Sequence, residues 1–387
     1  MITRYFTPGE SVTRATHRAA VGVLFFLQGI CFASWASRIP AIQQRLGISE
    51  AGLGAVLFAI PLGQLLTLPL SGWAVARQGS RRVVLYAMMS YALVLVALGW
   101  AGSVWQLVPA LVLFGAAGNF SNIAVNTQAV GVERLYDKPV MASFHGMWSL
   151  AGFAAASLGS FLNGKGIIPG WHFLLILVVV LAALAASIKS TVPHDPPTDP
   201  DAPLFVLPDK ELLGLGAIAF CALICEGAMF DWSGVYFKKV LAVRPGQVGN
   251  GYAAFMCTMA LGRFGADWLA ARLGTRRVIQ LSGVLTATGL AVAVALPTYW
   301  PALLGFLLVG FGTSSVVPLV YSAAGKSKTM SAGMALAAVS TVGFLGFLLG
   351  PPIIGLVAGA SSLRVSFCLI AVMGLCVSAV ASRVNVN

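Results

Sequence analysis

The stretch RQGSRRV, Arg77–Val83, returns as RLGTRRV, Arg272–Val278, 195 residues further along a chain of 387. Each copy sits between two long apolar runs. A basic turn written twice at half-chain spacing marks a duplicated unit, and its flanks set the environment. The chain is 58% hydrophobic and 9% charged, where a soluble domain carries roughly 25% charge. Runs of about 20 residues reach across ~30 Å of hydrocarbon at about 1.5 Å per helical residue. The composition therefore predicts an all-α membrane protein crossing the bilayer many times, and its 43 glycines suit helices that approach closely in lipid.

Apolar runs and turn signals give twelve expected spans, near 18–40, 50–75, 83–102, 105–131, 140–163, 167–189, 211–237, 246–271, 277–297, 301–324, 330–358 and 362–382. The Pro- and Asp-rich segment STVPHDPPTDPDAPLFVLPDK, Ser190–Lys210, cannot be helix interior. It divides the chain into an N-terminal six-helix bundle (1–189), a linker (190–210) and a C-terminal six-helix bundle (211–387). With the N-terminus inside, sixteen of the 24 Lys and Arg fall on inner loops and tails and six on outer loops. That bias places both termini and the linker in the cytoplasm. It also accounts for the net charge of +12 without a nucleic-acid partner. The six cysteines all lie in apolar segments with no metal or disulfide spacing, and read as small core residues.

The repeat extends beyond the basic turn. At the same offset Gly54 matches Gly249 and Gly115 matches Gly310, and with a shift of two Trp35 matches Trp232. Two halves in the same orientation imply a pseudo-twofold axis along the membrane normal. With its six-plus-six spans, central linker and basic turn after span 2, the chain resembles the major facilitator superfamily over essentially its whole length. That family's loop reads G-x-x-x-D-R-x-G-R-R. GWAVARQGSRR, Gly72–Arg82, keeps Arg77, Gly79, Arg81 and Arg82 and carries Ala76 where the family has its acid. The second copy keeps Arg272, Gly274, Arg276 and Arg277, preceded by Arg263 and Asp267 one helical turn apart, close enough to pair. The resemblance implies gating roles for these residues. GNFSNIAVNTQAVGVERLYDKPVMASFHGMWSLAG (Gly118–Gly152) and CEGAMFDWSGVYF (Cys225–Phe237) resemble the fucose-permease-like branch and its uncharacterised bacterial relatives. The positions of that branch's acidic residues in spans 1 and 4 are here Ala36 and Asn122, so sugar specificity and proton coupling do not carry over residue by residue.

Polar groups at mid-depth are costly in hydrocarbon and face a cavity or one another. Asn119, Asn122 and Asn126 form one stripe on span 4, suited to hydroxyls or amides, or else to bonding between helices. His145 and Trp148 share a face of span 5, and Gln28 and Trp35 a face of span 1. Tyr321 is the counterpart of Asn126 and offers a ring to stack a solute; these eight residues are the expected substrate site. Glu226 and Asp231 in span 7 are acids inside a span with no basic residue one turn away, and Glu226 is the expected proton carrier. Arg38, near the outer end of span 1, is expected to pair with Asp231 as an outer gate. Glu133, Arg134, Asp137 and Lys138 form a mixed inner cluster suited to holding that side shut.

No nucleophile–base pairing or metal spacing points to an enzyme, and no cofactor is called for. A channel has no need of two repeated halves. The reading is a secondary transporter of the bacterial inner membrane, expected to be a monomer in lipid, moving a small sugar-like solute together with protons. Proton-coupled efflux of an amphipathic compound is the alternative. It is weakened because span 5 lacks the Gly-Pro run usual in antiporters, a similar GFLLGPPIIG lying in span 11 instead.

Overall fold

A computed structural model of the chain describes residues 13–136, 140–195, 209–327 and 332–384. Fourteen α-helices follow in order: α1 (Arg14–Leu46), α2 (Glu50–Leu57), α3 (Ala59–Gln78), α4 (Ser80–Trp100), α5 (Val104–Glu133), α6 (Met141–Gly164), α7 (Pro169–Ser187), α8 (Lys210–Lys239), α9 (Asn250–Leu273), α10 (Thr275–Ala295), α11 (Tyr299–Ser314), α12 (Val316–Ala324), α13 (Ala332–Ala360) and α14 (Leu363–Ala381). Breaks at Phe58 and Ser315 divide α2 from α3 and α11 from α12, so the fourteen helices make twelve crossings. Ten of the crossings are long and apolar enough to span a bilayer by composition. The other two are α6 and α9, which pack on each other between the halves and so keep their polar residues off the lipid. The first and last described helical ends and the start of the linker share one side. His17 Nδ1 donates to the Ser190 carbonyl at 2.8 Å, and Arg276 Nε to that of Ala381 at 3.1 Å. This is called the linker side below, and the opposite one the far side.

The offset seen in the sequence is repeated in contacts. A Cβ on Gly115 would meet the Ile60 carbonyl oxygen at 2.1 Å, and one on Gly310 the Phe255 oxygen at 2.2 Å. Ile60 and Phe255 are themselves 195 residues apart, so the same glycine lets the same two helices touch in each half. Trp35 and Trp232 are both fully buried. The twin turns superimpose in backbone angle, with φ 83° at Gly79 and 84° at Gly274, a region that glycine enters without steric cost. Arg77 lies over Trp73 (5.5 Å) and Arg272 over Trp268 (4.4 Å). Arg81 donates to Lys189 O (2.8 Å) and to Thr191, while Arg276 reaches Ala381 O. Each arginine thus holds the C-terminal end of the sixth crossing of its own half, where a cation complements the helix dipole. Arg82 and Arg277 are exposed.

Ala76 leaves the first turn without its acid, and the linker supplies one. Asp195 accepts from the backbone N of Ser80 at 2.6 Å and from its hydroxyl, capping α4. Gln128 of α5 donates to Ser80 Oγ (2.6 Å) and Val192 O (2.9 Å) and accepts from Val192 N (2.7 Å). The start of the linker is therefore a strap bound along the N-terminal half. Of the mixed cluster after α5, Glu133 caps α6 through the backbone N of Val140 and Met141 at 2.8 and 2.9 Å; Asp137 and Lys138 lie outside the described residues.

Asp195→Ala removes the α4 cap, a loss of about 0.5–2 kcal/mol. It is expected to lift the strap and speed tryptic cleavage after Lys189 several-fold in detergent, read by mass spectrometry of the fragments. An unchanged cleavage rate would show that the strap is held without it.

Candidate functional site

The centre of the molecule is built where α6 of the first half meets α8 and α9 of the second. Asp209 caps α8 by accepting from Leu212 N at 2.8 Å, which fixes where the helix starts. Glu226 then falls near the middle of α8, with its side chain 8% exposed. Arg263 of α9 donates through Nη2 to Glu226 Oε1 at 3.2 Å and through Nη1 to Ser149 Oγ of α6 at 2.7 Å. Ser149 Oγ in turn donates to the His145 carbonyl at 3.2 Å, so its hydroxyl is used both ways. The guanidinium also lies 5.7 Å from the ring centre of Trp148. One cation therefore joins three helices and both halves. Glycines let α6 come this close, because a Cβ on Gly146 would strike the Phe264 ring at 2.3 Å and one on Gly152 the Met256 methyl at 2.2 Å.

Next to the pair stands an aromatic cluster drawn from four helices. Phe230 of α8 meets Phe32 of α1 (5.3 Å) and Trp148 of α6 (5.8 Å) edge to face, and Phe347 of α13 in a parallel stack (6.1 Å). Trp148 also stacks on Phe32 at 6.0 Å. A charged pair beside aromatic faces suits a solute with one polar end and an apolar body.

The structure divides the expected substrate residues. Trp148 lies at the centre, and His145 is exposed beside it with its ring edge-on to Phe25 at 5.3 Å. Asn122 is exposed, and Asn126 turns back to donate to the Asn122 carbonyl at 2.8 Å. Asn119 is buried and donates to Ser71 Oγ (3.0 Å) and Thr67 Oγ1 (3.3 Å), tying α5 to α3. Its role is the interhelical one. Trp35 is buried against Phe114 (6.5 Å) inside the first half, away from Trp148. Gln28 is buried with no partner for Oε1 among the described residues. Tyr321 is bonded to Ser340.

One expected pairing is replaced, Arg38–Asp231, and the other, Arg263–Asp267, falls on a side chain outside what is described. Glu226, isolated in its own helix, takes Arg263 from the next one, a partner that spacing along one helix does not reveal. The side chain of Asp267 lies outside what is described. Arg38 does not reach Asp231. It is fully buried and donates to His172 Nδ1 (3.1 Å), Asn163 Oδ1 (3.0 Å) and the Ile167 carbonyl (2.9 Å), all in its own half. Asp231 makes no hydrogen bond among the described residues and faces Tyr252.

A model of the Major Facilitator Superfamily matches residues 21–244 and 215–384. The chain belongs to this superfamily. An uncharacterised MFS-type transporter of Yersinia pestis is 35% identical over 383 residues, 98% of this chain and 97% of the relative. Membrane protein MosC of Rhizobium meliloti is 31% identical over 96% of this chain and 90% of its own length. The solved structure of a bacterial homologue of the human lysosomal transporter Spinster, inward-facing and occupied, matches with a TM-score of 0.74 over 97% of this chain and 98% of that one. At 15% identity that likeness is one of fold.

In this superfamily protein, a multi-pass membrane transporter and not an enzyme, the described polar bonds between halves run from the centre to the far side. Lys239 pairs with Glu50, and Lys238 donates to Pro40 O (2.9 Å) and to Gln44. Ser160 donates to Gly246 O (2.7 Å), and Asn163 Nδ2 to Pro245 O (2.6 Å). Arg38 acts through the last of these. By occupying Oδ1 of Asn163 it turns the amide nitrogen toward the second half. The helices themselves close on small residues, since a Cβ on Gly54 would lie 2.6 Å from Pro351 O and 2.9 Å from the Gly355 Cα. Sequence reasoning found Arg38 but missed Asn163, Lys238 and Lys239, which carry no signal apart from their partners.

Gly54→Val and Arg38→Leu are each expected to open the far side. Electron–electron resonance distances between spin labels at Trp171→Cys and Trp300→Cys, both exposed on that side, should gain a longer population. Unchanged distances in both variants would remove these residues from the seal.

Proposed function

We propose that the protein is a proton-coupled symporter that carries a small polar solute bearing hydroxyl groups across the bacterial inner membrane by alternating access. The Lys and Arg bias supports placing the linker side, with both termini, in the cytoplasm. The far-side contacts then seal the outside, and the described state faces inward.

The observation that carries the reading is the Glu226–Arg263 pair, set at mid-depth and tied through Ser149 to the opposite half. Removing one partner from a buried pair costs roughly 3–5 kcal/mol. A proton arriving on Glu226 does this without a mutation: it neutralises the carboxylate, weakens its hold on Arg263 and changes the link among α6, α8 and α9. Loading from one side and release to the other couples proton entry to the rocking of the halves. Asn122 and Asn126 offer amides to hydroxyls, and Trp148 a face to the solute's body. Similarity of Gly118–Gly152 and Cys225–Phe237 to the fucose-permease-like branch supports a sugar-like shape. The cluster of Phe32, Trp148, Phe230 and Phe347 favours a second reading, proton-coupled efflux of an amphipathic compound.

In liposomes containing a pH dye, solutes carried by the wild type should draw protons inward. Glu226→Gln should abolish that proton movement and accumulation against a gradient, yet keep solute exchange at equilibrium. Accumulation by Glu226→Gln equal to wild type would remove Glu226 as the proton site.

A further inference from the structure

We infer that the solute carried is an organic anion whose carboxylate is taken by Arg263 while Glu226 holds the proton. The inference rests on the proton-coupled reading of the same site and names its substrate class.

Charge balance at mid-depth leads to it. Arg263 meets Glu226 end-on, through one oxygen at 3.2 Å. Its shorter contact is the 2.7 Å bond to Ser149, a neutral group on the other half. Among the described residues the guanidinium uses Nη1 and Nη2 once each, so of its five N–H donors most remain for a second acceptor. A planar fork of this kind fits a carboxylate by two parallel bonds. Once Glu226 is protonated, its acceptance of a charged bond weakens and the cation stands in a region where an unmatched charge is costly. A neutral sugar offers that cation hydroxyl dipoles and no countercharge. A solute carboxylate restores the balance, and it arrives with the proton that made room for it.

The surroundings agree with such a solute. Trp148 lies beneath the guanidinium at 5.7 Å and continues into Phe32, Phe230 and Phe347, an apolar wall for the body of the molecule. Among the described residues the other titratable groups facing the pair are His145 on α6, Cys225 on α8, Tyr252 on α9 and Tyr321 on α12, while Asp231 faces Tyr252. None of these is a lysine or a second arginine. Asp267 follows one turn along α9, with its side chain outside the described residues. Among the described residues the site thus holds one strong cation for one carboxylate, and a monoanion is the species it matches. One proton entering with one monoanion moves no net charge, so transport should follow the pH gradient and ignore the membrane potential.

The test uses full-length protein in lipid nanodiscs and matched pairs of solutes, gluconate with glucose and benzoate with benzamide, covering a hydroxylated and a flat aromatic body. Thermal-shift titrations are run at pH 5.5 and pH 8. At least one acid should stabilise the wild type, with its neutral twin weaker by roughly tenfold or more, as expected for loss of a charged bond. Binding should tighten at the lower pH, where Glu226 is more often protonated. Glu226→Gln should bind the acid at both pH values alike, and Arg263→Gln should lose the preference for the acid. Glu226→Gln keeps the test open if Arg263→Gln fails to fold. Neutral twins that bind as well as the acids overturn the inference, and so does a set in which neither acid binds. If a neutral solute moves with protons through Glu226, the anion fails and the symport reading stands. If the acid binds through Arg263 but moves without protons, the reverse holds.

Discussion

A guanidinium in the middle of a bilayer has no water to solvate it, so the protein must bring it every partner it has. Arg263 is given Glu226 from the neighbouring helix, Ser149 from the opposite half and the face of Trp148. That requirement explains why α6 and α9, too polar to qualify as spans by composition, are the pair that meet at the centre. It explains the glycines at 146 and 152, without which α6 cannot stand close enough to present Ser149. The same cation also makes the centre responsive. A group held by one carboxylate, one hydroxyl and one ring is released in part whenever the carboxylate is neutralised.

The ends of the molecule follow a different rule. Water is present there, and the bonds that join the halves on the far side are spread over Lys238, Lys239, Asn163 and Ser160. Exposed pairs are individually weak, typically about 0–1 kcal/mol. A seal made of many weak contacts and of Gly54 against Gly355 can form and break within a working cycle. Arg38 differs from these in being fully buried within one half, where it holds Asn163 in the orientation that the seal uses.

The number of crossings, their six-plus-six grouping and the duplicated turn were legible in the sequence because hydrocarbon enforces length and composition on every span. The paired helix contacts at Gly115 and Gly310 follow from the same offset. The site was legible only as a set of residue types. Asn119 and Asn122 are one turn apart on α5, yet one binds Thr67 and Ser71 while the other is exposed, a difference set by where α3 packs. Trp35 looked like a cavity residue and is packed against Phe114 for the same reason. Glu226 was visible as an acid in the wrong place, but its partner comes from another helix. Side-chain direction depends on helix rotation, and a single sequence records little of that.

Where the two halves cease to match is itself informative. They share the devices that hold a six-helix unit together: the buried tryptophans, the glycine contacts, the arginine over its tryptophan, and the arginine bound at the end of the sixth crossing. At the centre they diverge. In the register that pairs Trp35 with Trp232 the counterpart of Glu226 is Gly29, the position 195 before Arg263 is Leu68, and the position 195 after Asn122 is Val317, none of them charged. A duplicated scaffold provides two bodies able to rock, but a symmetric centre would place like charges opposite one another at mid-depth, where their repulsion is least screened. Confining the charged pair to the second half and leaving neutral donors, Ser149 among them, on the first avoids that repulsion. It also puts a carboxylate at the central link, so that one protonation there acts on one contact while the far-side contacts keep their own strength.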